Sequence, residues 1–163
     1  MSSEDLKNMM AAISMSKEEI ETFLSVPRMA RMATTSSNGK PHLVPVWYYY
    51  DGTNILVTAT KGTKRTKNVK NNPNVSIVID IVEGKAEDIS YLNAKAVVIE
   101  GEAEITDDTD GSFAKKMYER YAGKNALDNP MVQASVIMPR YILTIRPVKV
   151  MSWDLFKIPK MSN

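Results

Sequence analysis

Five cationic side chains, Lys61, Lys64, Arg65, Lys67 and Lys70, fall between positions 61 and 70 with no acid among them. A glycine turn at Gly62 leads into Thr63, Lys64 and Arg65 at what reads as a helix entrance. Free N–H groups and the positive dipole end of a helix, a hydroxyl donor and two cations together make a physically reasonable phosphate site. Charge spacing alone leaves a second reading equally open. Lysines three residues apart (61, 64, 67, 70) are also what a solvated helix face carries.

Other chemistries find little support. The sequence has neither GxxxxGK[ST] nor a GxGxxG after a strand, and neither a GxSxG elbow nor a helical HExxH. With no cysteine and His42 as the sole histidine, thiolate nucleophiles, disulfides, Cys-ligated clusters and multi-His metal sites are excluded within one chain. His42, beside Pro41, reads as a strand-edge imidazole. Glu100, Glu102 and Glu104 alternate along one strand and read as its wet face. No residue stands out as catalytic, and no metal site is expected.

These residues must be positioned by a chain of 163 residues, a length that suits one domain. Its 44% hydrophobic and 25% charged content is that of a globular protein. The net charge of +2 argues against nucleic acid as a partner, leaving only a local patch for polyanions. No apolar run approaches the roughly 18–20 residues of a membrane span, and Glu4, Asp5 and Lys7 interrupt the segment where a signal peptide would be apolar. A cytoplasmic location, away from membranes, is expected.

Ser16 and Glu19 form a capping box, followed by the stripe Ile20, Phe23 and Leu24 and stopped by Pro27. Residues 1–15 read as an appended helix whose Leu6, Met9, Met10 and Ile13 are expected to pack in the core or a groove. From Met29 the period becomes two, and Asn38-Gly39 and Asp51-Gly52 mark hairpin turns of a three-strand antiparallel meander. Pro41 and Pro45 require its middle strand to be an edge, a bulge or a place turned toward a ligand. Along Trp47, Tyr48, Tyr49 and Tyr50 the side chains alternate, and barrel packing is favoured over a role lining a cavity.

Lys64–Asn71 reads as a short helix closed by Asn71-Asn72-Pro73, Val75–Asp80 as a buried strand, Val82–Tyr91 as an acidic loop and Lys95–Ile105 as a half-buried strand. TDDTDG supplies acids for a helix carrying Phe113, Met117, Tyr118 and Tyr121, which Gly123 ends; Asn129-Pro130 opens another. RYILTIRPVKVMSW reads as two strands broken near Pro147. The total is six or seven antiparallel strands with peripheral helices: a mainly β fold, a small closed or split barrel.

The order of TSSNGKPHLVPVWYYYDG, ILVTATKGTKRTKNVKNNPNVSIVI, AVVIEGEAEI and RPVKVMSW resembles the FMN-binding split-barrel superfamily of pyridoxamine 5′-phosphate oxidase, over Ser16 to Trp153. GTKRTKNVKNNPNVS is the most specific part. The resemblance implies one split-barrel domain over residues 16–163, with Thr63, Lys64 and Arg65 on the FMN phosphate. It further implies Ala59 and Thr60 at the ribityl chain or phosphate, and Val44, Pro45, Val46 and Trp47 along the isoalloxazine. Trp153 would reach the ring, commonly across the interface of a homodimer, and the activity would be a flavin-dependent oxidation or reduction of a small molecule. The chain departs from the namesake enzyme: after Trp153 it has only Lys157 and Lys160 where that enzyme carries an arginine-rich extension for the substrate phosphate. Shorter relatives use FMN or a deazaflavin with an anionic tail. Two rival readings are a flavin carrier without turnover and a single-stranded nucleic-acid-binding barrel.

Overall fold

The computed structural model describes residues 2–82 and 93–158. Two helices lead the chain in. α1 (Ser3–Ile13) and α2 (Lys17–Ser25) each start at a capping box, Ser2 with Asp5 and Ser16 with Glu19. Of α1 only Ile13 is buried; Leu6, Met9 and Met10 are 44–47% exposed, so the expected core role of these methionines does not hold. At the C-terminal end of α1, Lys157 Nζ, from the turn after β7, donates to the Ser14 carbonyl at 2.7 Å. α2 buries Phe23 and Leu24 against the barrel.

The strands are β1 (Ala30–Thr35), β2 (Pro41–Val46), β3 (Tyr49–Tyr50), β4 (Ile55–Thr60), β5 (Asn74–Val82), β6 (Ala94–Asp107) and β7 (Arg140–Asp154). They form one antiparallel sheet in the order β2-β1-β5-β6-β7-β4-β3. Its two edge strands, β2 and β3, are separated in the chain by Trp47 and Tyr48 alone, so the sheet must curl until its edges meet. The result is an antiparallel split barrel. The three-strand meander is thereby corrected: its middle run divides at Trp47-Tyr48, one half pairing with β1 and the other with β4. Pro41 and Pro45 sit on an edge strand, where a missing donor costs no ladder bond.

Alternation drives the closure. Met32, Ile55, Val57, Ile77, Ile79, Val97, Ile99, Leu143 and Ile145 point inward at 0–1% exposure, each contributing about 1.5–3 kcal/mol by burial. Glu100, Glu102 and Glu104 face solvent as expected. The last two strands expected from sequence are one: β7 runs unbroken past Pro147 because the register shifts between Glu100 and Gly101 of β6. Gly101 permits that approach, since a Cβ there would lie 2.4 Å from the Arg146 carbonyl oxygen.

α3 (Lys64–Asn71) follows β4 at the predicted bounds, with Asn68 Nδ2 donating to buried Thr34 Oγ1 at 3.0 Å. α4 (Ser112–Ala122) starts without a side-chain cap of its own; Asp108 supplies it by accepting the Phe113 and Ala114 N–H groups at 3.1 and 2.9 Å. Gly123, at φ 88°, ends α4. α5 (Pro130–Val136) opens at Asn129 and delivers the chain to β7. Apart from Val82, which closes β5, the acidic loop expected at Val82–Tyr91 lies outside the described residues. Among them, no helix is long and apolar enough to cross a membrane.

Candidate functional site

The site is built where β4 ends. Inward-facing Val57 and Ala59 leave Thr58 and Thr60 on the outer face, and the pairing of Thr60 with Arg140 brings the start of β7 beside them. Gly62, at φ 80°, turns the chain into α3. Thr63 is the N-cap of α3; its hydroxyl accepts the Thr66 N–H at 3.5 Å and donates to the Thr60 carbonyl at 3.0 Å. Lys64 is exposed, while Arg65 folds back half-buried with Nη2 3.4 Å from the Thr58 carbonyl.

A cavity of about 170 Å³ opens at this corner, lined by Pro45, Val46, Trp47, Thr58, Arg65, Met117, Tyr118 and Arg140. Arg65 and Arg140 line it and, among the described residues, no aspartate or glutamate does. Neither Arg65 nor Arg140 has an acidic partner within salt-bridge distance among the described residues. Burial, with Arg140 adding like charge, pushes the Arg65 pKa down. Of the three buried side-chain polar atoms without a hydrogen-bond partner among the described residues, two, Thr58 Oγ1 and Arg65 Nε, belong to residues that line this cavity. Buried donors in native proteins are normally paired, so a positive, donor-rich and partner-poor cavity fits an oxyanion.

The rest of the lining is held firmly. The Trp47 ring stacks on Tyr121 with centroids 4.9 Å apart and planes 7° from parallel, and meets the edge of Tyr118 at 5.4 Å. Tyr118 donates its hydroxyl to Ser135 Oγ at 2.7 Å. Ser135 in turn accepts from Arg140: Nε and Nη2 reach its carbonyl at 3.0 and 2.7 Å, and Nη2 reaches its Oγ at 2.5 Å.

Of the ten residues singled out from sequence, the cavity assembles Pro45, Val46, Trp47 and Arg65. Thr63 and Lys64 adjoin it at the α3 entrance and Thr60 stands opposite Arg140, but Ala59 is fully buried toward the core and offers only its backbone. Val44 packs against the core from β2. Trp153 lies near the far end of β7, paired with Ala96, and is not brought to this cavity within one chain. Sequence reading missed Thr58, Met117, Tyr118 and Arg140. The charge run is partly committed elsewhere: Lys61 pairs with Asp107, and Lys70 donates to the Tyr141 hydroxyl at 2.9 Å. Tyr48, by contrast, is a packing residue as expected, fully buried with its hydroxyl donating to the Val26 carbonyl at 3.1 Å.

A larger cavity of about 540 Å³ lies on the other side of Arg140, bordered by Asp107, Asp108 and Asp110. Its acids serve local structure, Asp107 holding Lys61, Asp108 capping α4 and Asp110 accepting the Ser112 N–H at 3.0 Å.

Fold and site together define a split β-barrel with a cationic pocket at the corner where its edges meet. The chain belongs to the pyridoxamine 5′-phosphate oxidase family, whose model matches residues 16–154. Among solved structures, the conserved hypothetical protein Rv2991 from Mycobacterium tuberculosis is 29% identical, with 94% of each chain covered and a TM-score of 0.73. An F420 reductase is 24% identical over 80% of this chain and 94% of its own, with a TM-score of 0.59. A FAD-binding protein from Mesorhizobium loti is 20% identical over 85% of this chain and 93% of its own, at 0.61. The last two likenesses bear on the fold alone.

Proposed function

We propose that the protein is an FMN-dependent oxidoreductase acting on a small molecule, with the flavin phosphate held at the corner between Arg65 and the α3 N-terminus. The observation that carries this reading is a cavity lined by Arg65 and Arg140 and, among the described residues, by no acid, with Thr58 Oγ1 and Arg65 Nε of its lining residues lacking a hydrogen-bond partner. Thr63 and Lys64 add the helix N-terminus and a third cation. FMN, when bound, supplies hydride chemistry. The chain's own residues supply position and electrostatics: the rigid Trp47 ring and Pro45 offer an apolar wall, and Arg65 with Lys64 holds negative charge at one end.

The cavity is smaller than the roughly 300–1,000 Å³ of pockets that enclose a whole ligand. In this reading a second copy of the chain completes it, and Trp153, remote from the cavity in its own subunit, reaches the ring across a homodimer interface. The deazaflavin alternative draws on cations beyond those one phosphate needs. Those cations are Lys67 and Lys70: Lys70 is held by Tyr141 and Lys67 lies outside the cavity lining, which favours the shorter cofactor. The net charge of +2, with the cations of the run confined to one turn, argues against a nucleic-acid strand.

The test is Lys64→Ala with Arg65→Ala. Two charge-assisted hydrogen bonds at about 1.5–3 kcal/mol each predict that FMN affinity falls by at least about 100-fold, with an unchanged circular dichroism spectrum. Unchanged affinity in the double variant refutes the assignment.

A further inference from the structure

Arg140 is the feature that neither the charge run nor the helix entrance announces. It is 8% exposed, lines the same cavity as Arg65 and stands opposite Thr60 in the sheet. Its Nε and Nη2 are fixed on Ser135, and Ser135 is held by Tyr118. Nη1 makes no hydrogen bond among the described residues. A buried guanidinium is costly without a counter-charge, and two around one cavity that no described acid lines are costlier still. The sequence places both there, and α4, α5 and β7 together hold the second one still.

We propose that Arg140 is a second anchor for the anion and that the Arg65–Arg140 pair makes this site selective for a terminal phosphomonoester over a phosphodiester. The inference rests on the flavin-phosphate reading above and narrows it. A monoester carries about −1.5 to −2 charge at neutral pH and three acceptor oxygens. A diester carries one charge and has two of its oxygens esterified. Two guanidinium groups on different elements, Arg65 on α3 and Arg140 on β7, match the first in charge and in number of acceptors. The chemical class selected is therefore a flavin ending in a free phosphate; flavins whose phosphate is esterified on both sides are selected against.

The experiment measures FMN binding by flavin fluorescence at pH 7.5, with methyl phosphate and dimethyl phosphate as competitors, in the wild-type chain, Arg140→Gln and Arg140→Lys. Arg140→Gln is expected to weaken FMN binding about 10- to 100-fold, and Arg140→Lys to recover part of that loss. Methyl phosphate should compete in the wild type and dimethyl phosphate should not. Unchanged FMN affinity in Arg140→Gln, or equal competition by the two esters, overturns the inference and leaves the flavin reading in place. If Arg140→Gln does not fold, the competition in the wild type decides alone. If the wild type takes no flavin, its melting temperature is read with the two esters. A rise with methyl phosphate only supports the two-arginine site while the flavin reading falls; no rise, or an equal one, overturns this inference as well.

Discussion

Two buried polar clusters lie side by side at the corner where the barrel edges meet, and they differ in one respect. In the first, Tyr121 Oη accepts the Tyr48 N–H at 3.0 Å and lies 2.9 Å from the carbonyl oxygens of Arg28 and Tyr48, which share its single proton. The hydroxyls of this cluster and the Tyr48 N–H are all paired, although the neighbouring Arg120 Nε is buried without a partner among the described residues. In the second, around Thr58, Arg65 and Arg140, a hydroxyl and a guanidinium N–H are buried with no partner and no acid lines the cavity, among the described residues. Both contain aromatic and polar groups at similar depth, so residue type alone does not separate them. Satisfaction does: a closed network holds the fold, whereas an open one is completed by something from outside the chain.

The contrast breaks most sharply at Tyr121. Tyr121→Phe strips a partner from the Tyr48 backbone where β2 passes into β3, and should lower unfolding free energy by about 1–3 kcal/mol. FMN affinity should change little. Urea denaturation with a parallel flavin titration checks both, and the reverse pattern would exchange the roles of the two clusters.

Thr58→Val tests the open cluster from the opposite direction. Removing an unpartnered buried hydroxyl while keeping the side-chain shape should raise the flavin-free protein's stability by about 1 kcal/mol and weaken FMN binding several-fold. Thermal melts with and without FMN would show the two effects with opposite signs. A destabilised flavin-free protein would mean that Thr58 already has its partner.

Tyr48 gives a pH signature to the closed cluster. Burial, with Tyr121 nearby, pushes its phenol up to about 12, against about 10 when unfolded. The folded state then binds more protons than the unfolded state between those values, so stability from this group is complete below pH 10 and falls as pH rises toward 12. Tyr121 shifts upward too, again chiefly by burial, and adds to the same fall. In Tyr48→Phe the decline in urea midpoint above pH 10 should be shallower than in the wild type. The smallest effect belongs to Lys67, an exposed side chain on α3 outside the cavity lining: Lys67→Ala should leave FMN affinity within about twofold.

What could be read from the sequence was what short range decides. The Ser16–Glu19 capping box, the turns at Asn38-Gly39 and Asp51-Gly52, and the bounds of α3 follow from neighbouring residues, and all stand in the structure. The division at Trp47-Tyr48 depends on which strands the two halves pair with. The continuity of β7 depends on a register shift in β6 that only the Gly101–Arg146 contact explains. The site divides in the same way. Arg65, Pro45 and Trp47 carried local signals, a basic turn and a proline in a strand. Arg140 carried none, because its place is set by the pairing of β7 with β4. Likewise the spacing of Lys61 and Lys70 showed charge but not Asp107 and Tyr141, which engage them from distant strands.

The most direct test of the central claim, that the open cluster is a flavin-phosphate site, is the visible absorption spectrum of the purified protein with the mass of whatever heat releases from it. A flavin spectrum with the mass of FMN, in protein that Lys64→Ala with Arg65→Ala renders colourless, is the predicted result. A colourless wild-type chain that also takes up no added FMN would contradict it.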